Sequence, residues 1–210
     1  MQHGSRGNDG RTRAGGARPG EPDRHALRTP DEPRWLTLLG SIRAIQMELK
    51  RLQPERGIGL SGNPSAPESA IVVTELRLGR KLPPSYREFL GFSDGWSGFF
   101  DGVNLLGTGE LGRNGQLMPS HEQLLARGRL LPFGADRCGS SLFAFDTSVR
   151  LADGELGVVA WVGGLGIDCR CFTSFLATVL QLCRAELSNA KAIEPLAEAA
   201  PRGRGWLDVG

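Results

Sequence analysis

Apolar residues recur along the chain at helical spacing in two long stretches, with short strand-like runs between them. From Arg34 to Gln53, Trp35, Leu38, Ile42, Ile45, Leu49 and Leu52 fall three and four apart and make one continuous stripe. The stripe is short of three full heptads, so it predicts docking against the rest of the domain rather than a coiled coil. Residues 54–67 read as a loop. Ser65-Ala66-Pro67-Glu68 has the form of a capping box, and the helix it opens should run to Leu78 and bury Val72 and Leu76. Gly79 suits the left-handed cap that ends such a helix. After Leu82, Pro83 and Pro84 break the chain and suit the first turn of a new helix, where a missing N–H is harmless. Tyr86, Phe89 and Leu90 then lie at i, i+3 and i+4, and Asp94-Gly95 stops the run.

Beyond Trp96, short apolar runs alternate with Gly, Asp and Asn, as strands and tight turns do. The predicted strands are 103–106, 129–133, 142–145 and 157–162, with a further one at 168–171. Leu142-Phe143-Ala144-Phe145 alternates incompletely and reads as a strand buried on both faces. Residues 118–126 read as a small helix capped by Ser120. Phe172, Phe175, Leu176, Val179, Leu180, Cys183 and Leu187 define a closing helix over four turns. Helices, then strands, then a helix segregate the element types, which predicts a single α+β domain.

Charge divides the chain unevenly. Residues 1–56 hold eleven basic against seven acidic side chains, and residues 57–190 hold eleven against thirteen. The slightly acidic body argues against a nucleic-acid partner. The front, residues 1–33, is rich in Gly, Arg and Pro and poor in large apolar residues, so disorder is expected there. The domain is expected over 34–188, and residues 189–210 read as a tail carrying a lone Trp206. No apolar run is long enough to cross a membrane, and the first residues lack the apolar core of a secretory signal. A cytoplasmic protein with reduced thiols at Cys138, Cys169, Cys171 and Cys183 is expected.

Candidate chemistry is thin. Gly57-Ile58-Gly59-Leu60-Ser61-Gly62 formally matches a dinucleotide fingerprint, but it follows a helix and runs into Asn63-Pro64, the wrong context. His121 is the one histidine outside the front, and no nucleophile elbow accompanies it. Cys169 and Cys171 share one side of a strand, yet Cys-x-Cys is not zinc spacing and Cys183 falls on an apolar helix face. Neither metal nor cofactor is expected. Asp94, Asp101, Asp136 and Asp146 sit beside turn signals, where Asp bends and caps the backbone. Alternatively, Asp94, Asp101 and Asp136 form a face for a basic partner. Trp96, Phe99 and Phe100 follow a helix stop, either as anchors for a protein partner or as a plug for one end of the sheet.

Five blocks, taken in order, resemble the SUKH superfamily over residues 65–187. The first is Leu78-Gly79, Leu82-Pro83-Pro84-Ser85-Tyr86 and Phe89-Leu90. Asp94-Gly95-Trp96 is the second, with Asp where Asn is common. The third is Leu131-Pro132-Phe133-Gly134-Ala135-Asp136 with Gly139 and Phe145-Asp146-Thr147. Val158-Val159-Ala160-Trp161 and Phe172-Thr173-Ser174-Phe175-Leu176 complete the set. The resemblance implies a mixed, mostly antiparallel sheet flanked by helices. It also implies a non-enzymatic protein-binding role, as in bacterial immunity proteins that neutralise toxins. Fungal cell-wall synthesis regulators supply the alternative of a regulatory or scaffold module, and an enzyme with an unrecognised site is the second alternative.

Overall fold

The computed structural model describes residues 34–113, 129–162 and 165–199, together with Leu125, with side chains through Ala192 in the last stretch. The chain divides into two units after Glu32, and every described element belongs to the second. In chain order the elements are α1 (Arg34–Leu52), α2 (Glu68–Leu78), α3 (Pro84–Phe92), β1 (Trp96–Phe100), β2 (Val103–Leu105), β3 (Leu130–Ala135), β4 (Leu142–Arg150), β5 (Leu156–Val162), β6 (Leu165–Cys169) and α4 (Phe172–Ala199). The expected front, the small helix at 118–126 with Ser120 and His121, and Trp206 lie outside the described residues, Leu125 apart.

The sheet is a meander. Strand order follows chain order, and each of the five pairings among the described strands is antiparallel. Asp101 and Gly102 join β1 to β2 with φ of 45° and 76°, a two-residue hairpin turn of the kind that matches strand twist. The β3–β4 turn, which Asp136 opens, lies at the same end of the sheet. Leu142, Phe143, Ala144 and Phe145 are all fully buried, as their broken alternation predicts.

Tyr86 is the hub of the core. Its ring lies 5.1–5.4 Å, centroid to centroid, from those of Phe89, Phe133, Phe145 and Phe172, joining α3, β3, β4 and α4. Its hydroxyl donates to the Leu106 carbonyl at 2.7 Å, so the buried polar atom is met. Burial, reinforced by the negative charges of Glu110 and Asp94, pushes the phenol well above its ordinary range. The order is the one that the block around Leu82, Pro83 and Leu90 predicts: Gly79 caps α2 with φ 64°, Pro84 starts α3, and Gly95 turns the chain with φ 88°.

Three features depart from the sequence reading. The buried face of α1 runs through Trp35, Leu39, Ile42, Gln46 and Leu49, leaving Leu38 and Ile45 half-buried. On α2, Leu76 is 75% exposed and Val72 half-buried, while Ile71, Thr74 and Glu75 point inward. The helix starts at Glu68 behind Pro67 with no side-chain cap, so Ser65 forms no capping box; Glu68 pairs instead with Arg87. Finally, α4 does not yield to a tail at 189 but continues to Ala199 with Ala190 buried, because the added residues are mostly good helix formers.

Helices α1 and α4 run side by side in the same direction. Trp35 and Phe172 both meet Phe89, with centroids 6.2 and 5.6 Å from it, and near the other ends Lys191 stands 3.8 Å from Glu48. Their later turns therefore arrive at the end of the sheet that carries the Asp101 turn.

Candidate functional site

The residues expected to meet a partner separate into three groups. Trp96, Phe99 and Phe100 are not on a loop. They form β1 and are buried in the core at 3%, 0% and 5% exposure. The chain leaves α3 at Ser93 and turns at Gly95, and β1 then pairs with β2 on one edge and meets the 54–67 loop on the other. The Trp96 indole N–H donates to the Gly59 carbonyl at 2.9 Å.

Asp94 and Asp136 form the second group, and both serve the fold. The Asp94 carboxylate accepts the Thr108 hydroxyl at 2.9 Å and the Thr108 N–H at 2.5 Å, fixing the chain after β2 to the end of α3. Asp136, 5% exposed, accepts the N–H groups of Gly139 at 2.8 Å and Ser140 at 3.1 Å, closing the β3–β4 turn that Gly139 makes with φ 78°. Asp146 behaves likewise. It accepts the hydroxyl and N–H of Ser148, and the hydroxyl bond chiefly holds its carboxyl below the usual range.

Asp101 alone of these acids faces open space. It stands at the mouth of a cleft of about 110 Å³ lined by Gln46 of α1, Arg56 of the following loop, Phe100 beside it, and Cys183 and Glu186 of α4. The Arg56 guanidinium donates to Glu186 at 2.9 Å and lies 3.8 Å from Asp101. Gln46 is 3% exposed; its Nε2 donates to the Phe99 carbonyl, and its Oε1 has no hydrogen-bond partner among the described residues. Burial, with the neighbouring Glu186 charge, pushes the Cys183 thiol up to about 12, so this wall is inert toward thiol chemistry.

The glycine-rich match has a purely structural use. The loop lies along the open edge of β1, with Gly59 N–H to Gly98 carbonyl at 2.9 Å and Asn63 N–H to Gly95 carbonyl at 3.0 Å, which covers an edge that would otherwise be exposed. A side chain at Gly59 would place its Cβ 1.8 Å from the Ser97 carbonyl oxygen. The remaining family-motif glycine, Gly134, sits where a Cβ would meet Phe143 at 2.8 Å. Trp161 is half-buried on β5, and Phe133 and Phe175 stack edge to face at 5.4 Å.

Residues that the sequence reading passed over carry much of the architecture. Buried Glu155 accepts the N–H and hydroxyl of Ser85, and burial pushes its carboxyl up against these two bonds. Buried Glu75 accepts from Lys81 at 2.6 Å and from the Leu82 N–H at 3.1 Å; burial opposes its ionisation, and these donors more than reverse that, leaving it below the usual range. Gln46, next to Ile45 of the apolar stripe and not part of it, takes the inward position on α1, and no periodic signal marks it. The four cysteines are all free, and no group of three or more His, Cys, Asp or Glu among the described residues is placed to hold a metal. No helix among those residues is long and apolar enough to cross a membrane.

A helix-backed antiparallel meander, with a small charged cleft among the described residues and several acids committed to turns and caps, defines a domain of the α+β class. The chain belongs to the SMI1 / KNR4 family (SUKH-1), whose model matches residues 65–178. This family is generally non-catalytic, and its role is of protein-interaction or immunity type. No curated protein matches the chain at a significant level.

Proposed function

We propose that this chain is a non-enzymatic immunity protein of the bacterial cytoplasm that binds a cognate toxin domain and blocks it sterically. Membership of the SMI1 / KNR4 family over residues 65–178 is the observation that carries this reading. The placement of the acids supports it: Asp94, Asp136, Glu75 and Glu155 each accept a backbone N–H of their own chain, which suits a rigid scaffold more than general acid–base work. Steric blocking asks for a body that does not deform on contact, and the aromatic hub around Tyr86 supplies one.

The test is coexpression with toxin domains encoded beside this gene, scored by growth and by recovery of a stable complex. Rescue together with a complex of defined stoichiometry is expected. Rescue by none of them, with several endogenous partners recovered instead, would favour the regulatory or scaffold role.

A further inference from the structure

We infer that the cleft between α1, the β1–β2 turn and α4 receives the guanidinium head of an arginine side chain presented by the partner protein. The inference rests on the protein-binding reading above and gives that reading a contact point.

The argument begins with Gln46. Its side chain is buried among apolar neighbours, and one of its two amide atoms faces the Phe99 carbonyl. A carbonyl can only accept, so the atom facing it must be nitrogen, and the amide orientation follows from chemistry. The oxygen is left without a donor among the described residues, and Gln46 is one of the residues that line the cleft. A buried acceptor that goes unmet is unfavourable, and native proteins rarely retain one without a water, ion or ligand to meet it.

Charge narrows the choice of donor. Arg56, Asp101 and Glu186 line the cleft, so two carboxylates share one guanidinium. Arg56 is hydrogen-bonded to Glu186, whereas its 3.8 Å separation from Asp101 is beyond hydrogen-bond range. Asp101 is 51% exposed in its side chain and accepts no hydrogen bond among the described residues, so its oxygens are open to an incoming donor. An anion would meet the excess negative charge, and a neutral donor would leave it uncompensated.

Size and shape narrow it again. About 110 Å³ is well under the roughly 300–1,000 Å³ of small-molecule pockets, and it suits a side-chain head group. Two unmet acceptors on different elements, the enclosed amide oxygen of Gln46 on α1 and the carboxylate of Asp101 on the β1–β2 turn, call for several donors in a fixed fork. Arginine has that fork, and the compact lysine ammonium does not. The turn that holds Asp101 is itself set: Asp101 is the one non-glycine residue with positive φ among the described residues, locked there by the hairpin.

The experiment uses the full chain and two probes, N-acetyl-arginine amide and its uncharged isostere N-acetyl-citrulline amide, followed by two-dimensional amide NMR. Saturable shifts of the Gln46 side-chain amide and of the Gly98 and Gly102 backbone amides are expected with the arginine probe, with a dissociation constant on the order of millimolar. The citrulline probe should bind about tenfold more weakly. Asp101→Asn, which tolerates the left-handed turn, should weaken the arginine probe about three- to tenfold while leaving the rest of the spectrum in place. Equal response to both probes, shifts that avoid Gln46, or no shift at all (a cleft that holds water only) would overturn the inference. A toxin bound as tightly by Asp101→Asn as by the parent would sink the cleft and leave the immunity reading standing. Arginine binding in a protein that neutralises no toxin would do the reverse.

Discussion

The carboxylate of Glu155 accepts both the backbone N–H of Ser85, at 2.7 Å, and its hydroxyl, at 2.9 Å, across seventy positions of sequence. Ser85 is in the first turn of α3, where helix N–H groups have no partner within the helix. Pro83 stands at the N-cap and offers no side-chain acceptor, so the cap is supplied from the turn before β5. Removing it with Glu155→Ala orphans a buried N–H and a buried hydroxyl, for an expected loss of about 1–3 kcal/mol in urea unfolding. Glu155→Gln keeps an acceptor for the N–H and should stay within about 1 kcal/mol of the parent.

The two buried glutamates bias stability in opposite directions with pH. Glu75 is held below its ordinary value of 4.5 in the folded state, so its contribution is present above that value and is lost as pH falls through the folded one. Burial raises Glu155 in the folded state, so its contribution is fully present below 4.5 and is lost as pH rises through the folded value. Urea titrations at a series of pH values should therefore show Glu75→Gln flattening the acid limb. Glu155→Gln should gain relative to the parent as pH climbs from about 4 to 7. An acid limb that Glu75→Gln leaves unchanged would remove that carboxylate from the account.

The loop glycines give a paired test. At Gly59 an added Cβ meets backbone, the Ser97 carbonyl at 1.8 Å, whereas at Gly57 nothing lies within 4 Å. Gly59→Ala must push the loop off β1 and break its bond to Gly98, for an expected loss of about 2–4 kcal/mol. Gly57→Ala should be neutral or stabilise by up to about 1 kcal/mol through the unfolded chain. Thermal melts of the two variants decide it, and equal effects would contradict the close approach.

Much of this fold is legible in the residues because local signals and packing agree. Gly79, Pro84 and Gly95 punctuate α2 and α3 where the structure has them, and Phe172, Phe175, Leu176, Val179, Leu180 and Cys183 all face the core. Legibility fails where a long-range partner decides. Trp96-Ser97-Gly98-Phe99-Phe100 is a strand because β2 pairs with it through the Asp101-Gly102 turn, a local signal, and because the 54–67 loop, from well back in the chain, lies along its other edge. The cleft was not legible: the apolar stripe runs through Ile45, whereas the structure turns Gln46 inward, with its amide on the Phe99 carbonyl 53 positions away.

Helix α2 shows the same conflict and can be tested directly. Apolar content favours turning Val72, Val73 and Leu76 inward, yet Val73 and Leu76 are 58% and 75% exposed. The opposite face wins because its polar groups have partners that no apolar residue could satisfy. The Thr74 hydroxyl donates to the Thr108 carbonyl at 3.0 Å, and Glu75 gathers Lys81 and the Leu82 N–H. Leu76→Gln should therefore leave stability within about 0.5 kcal/mol of the parent, as surface substitutions do. Ile71→Ala, at 2% exposure, should lose about 2–4 kcal/mol through the cavity it opens. The reverse order in chemical unfolding would mean that the helix is turned the other way, and that Glu75 is not the buried tie between α2 and α3.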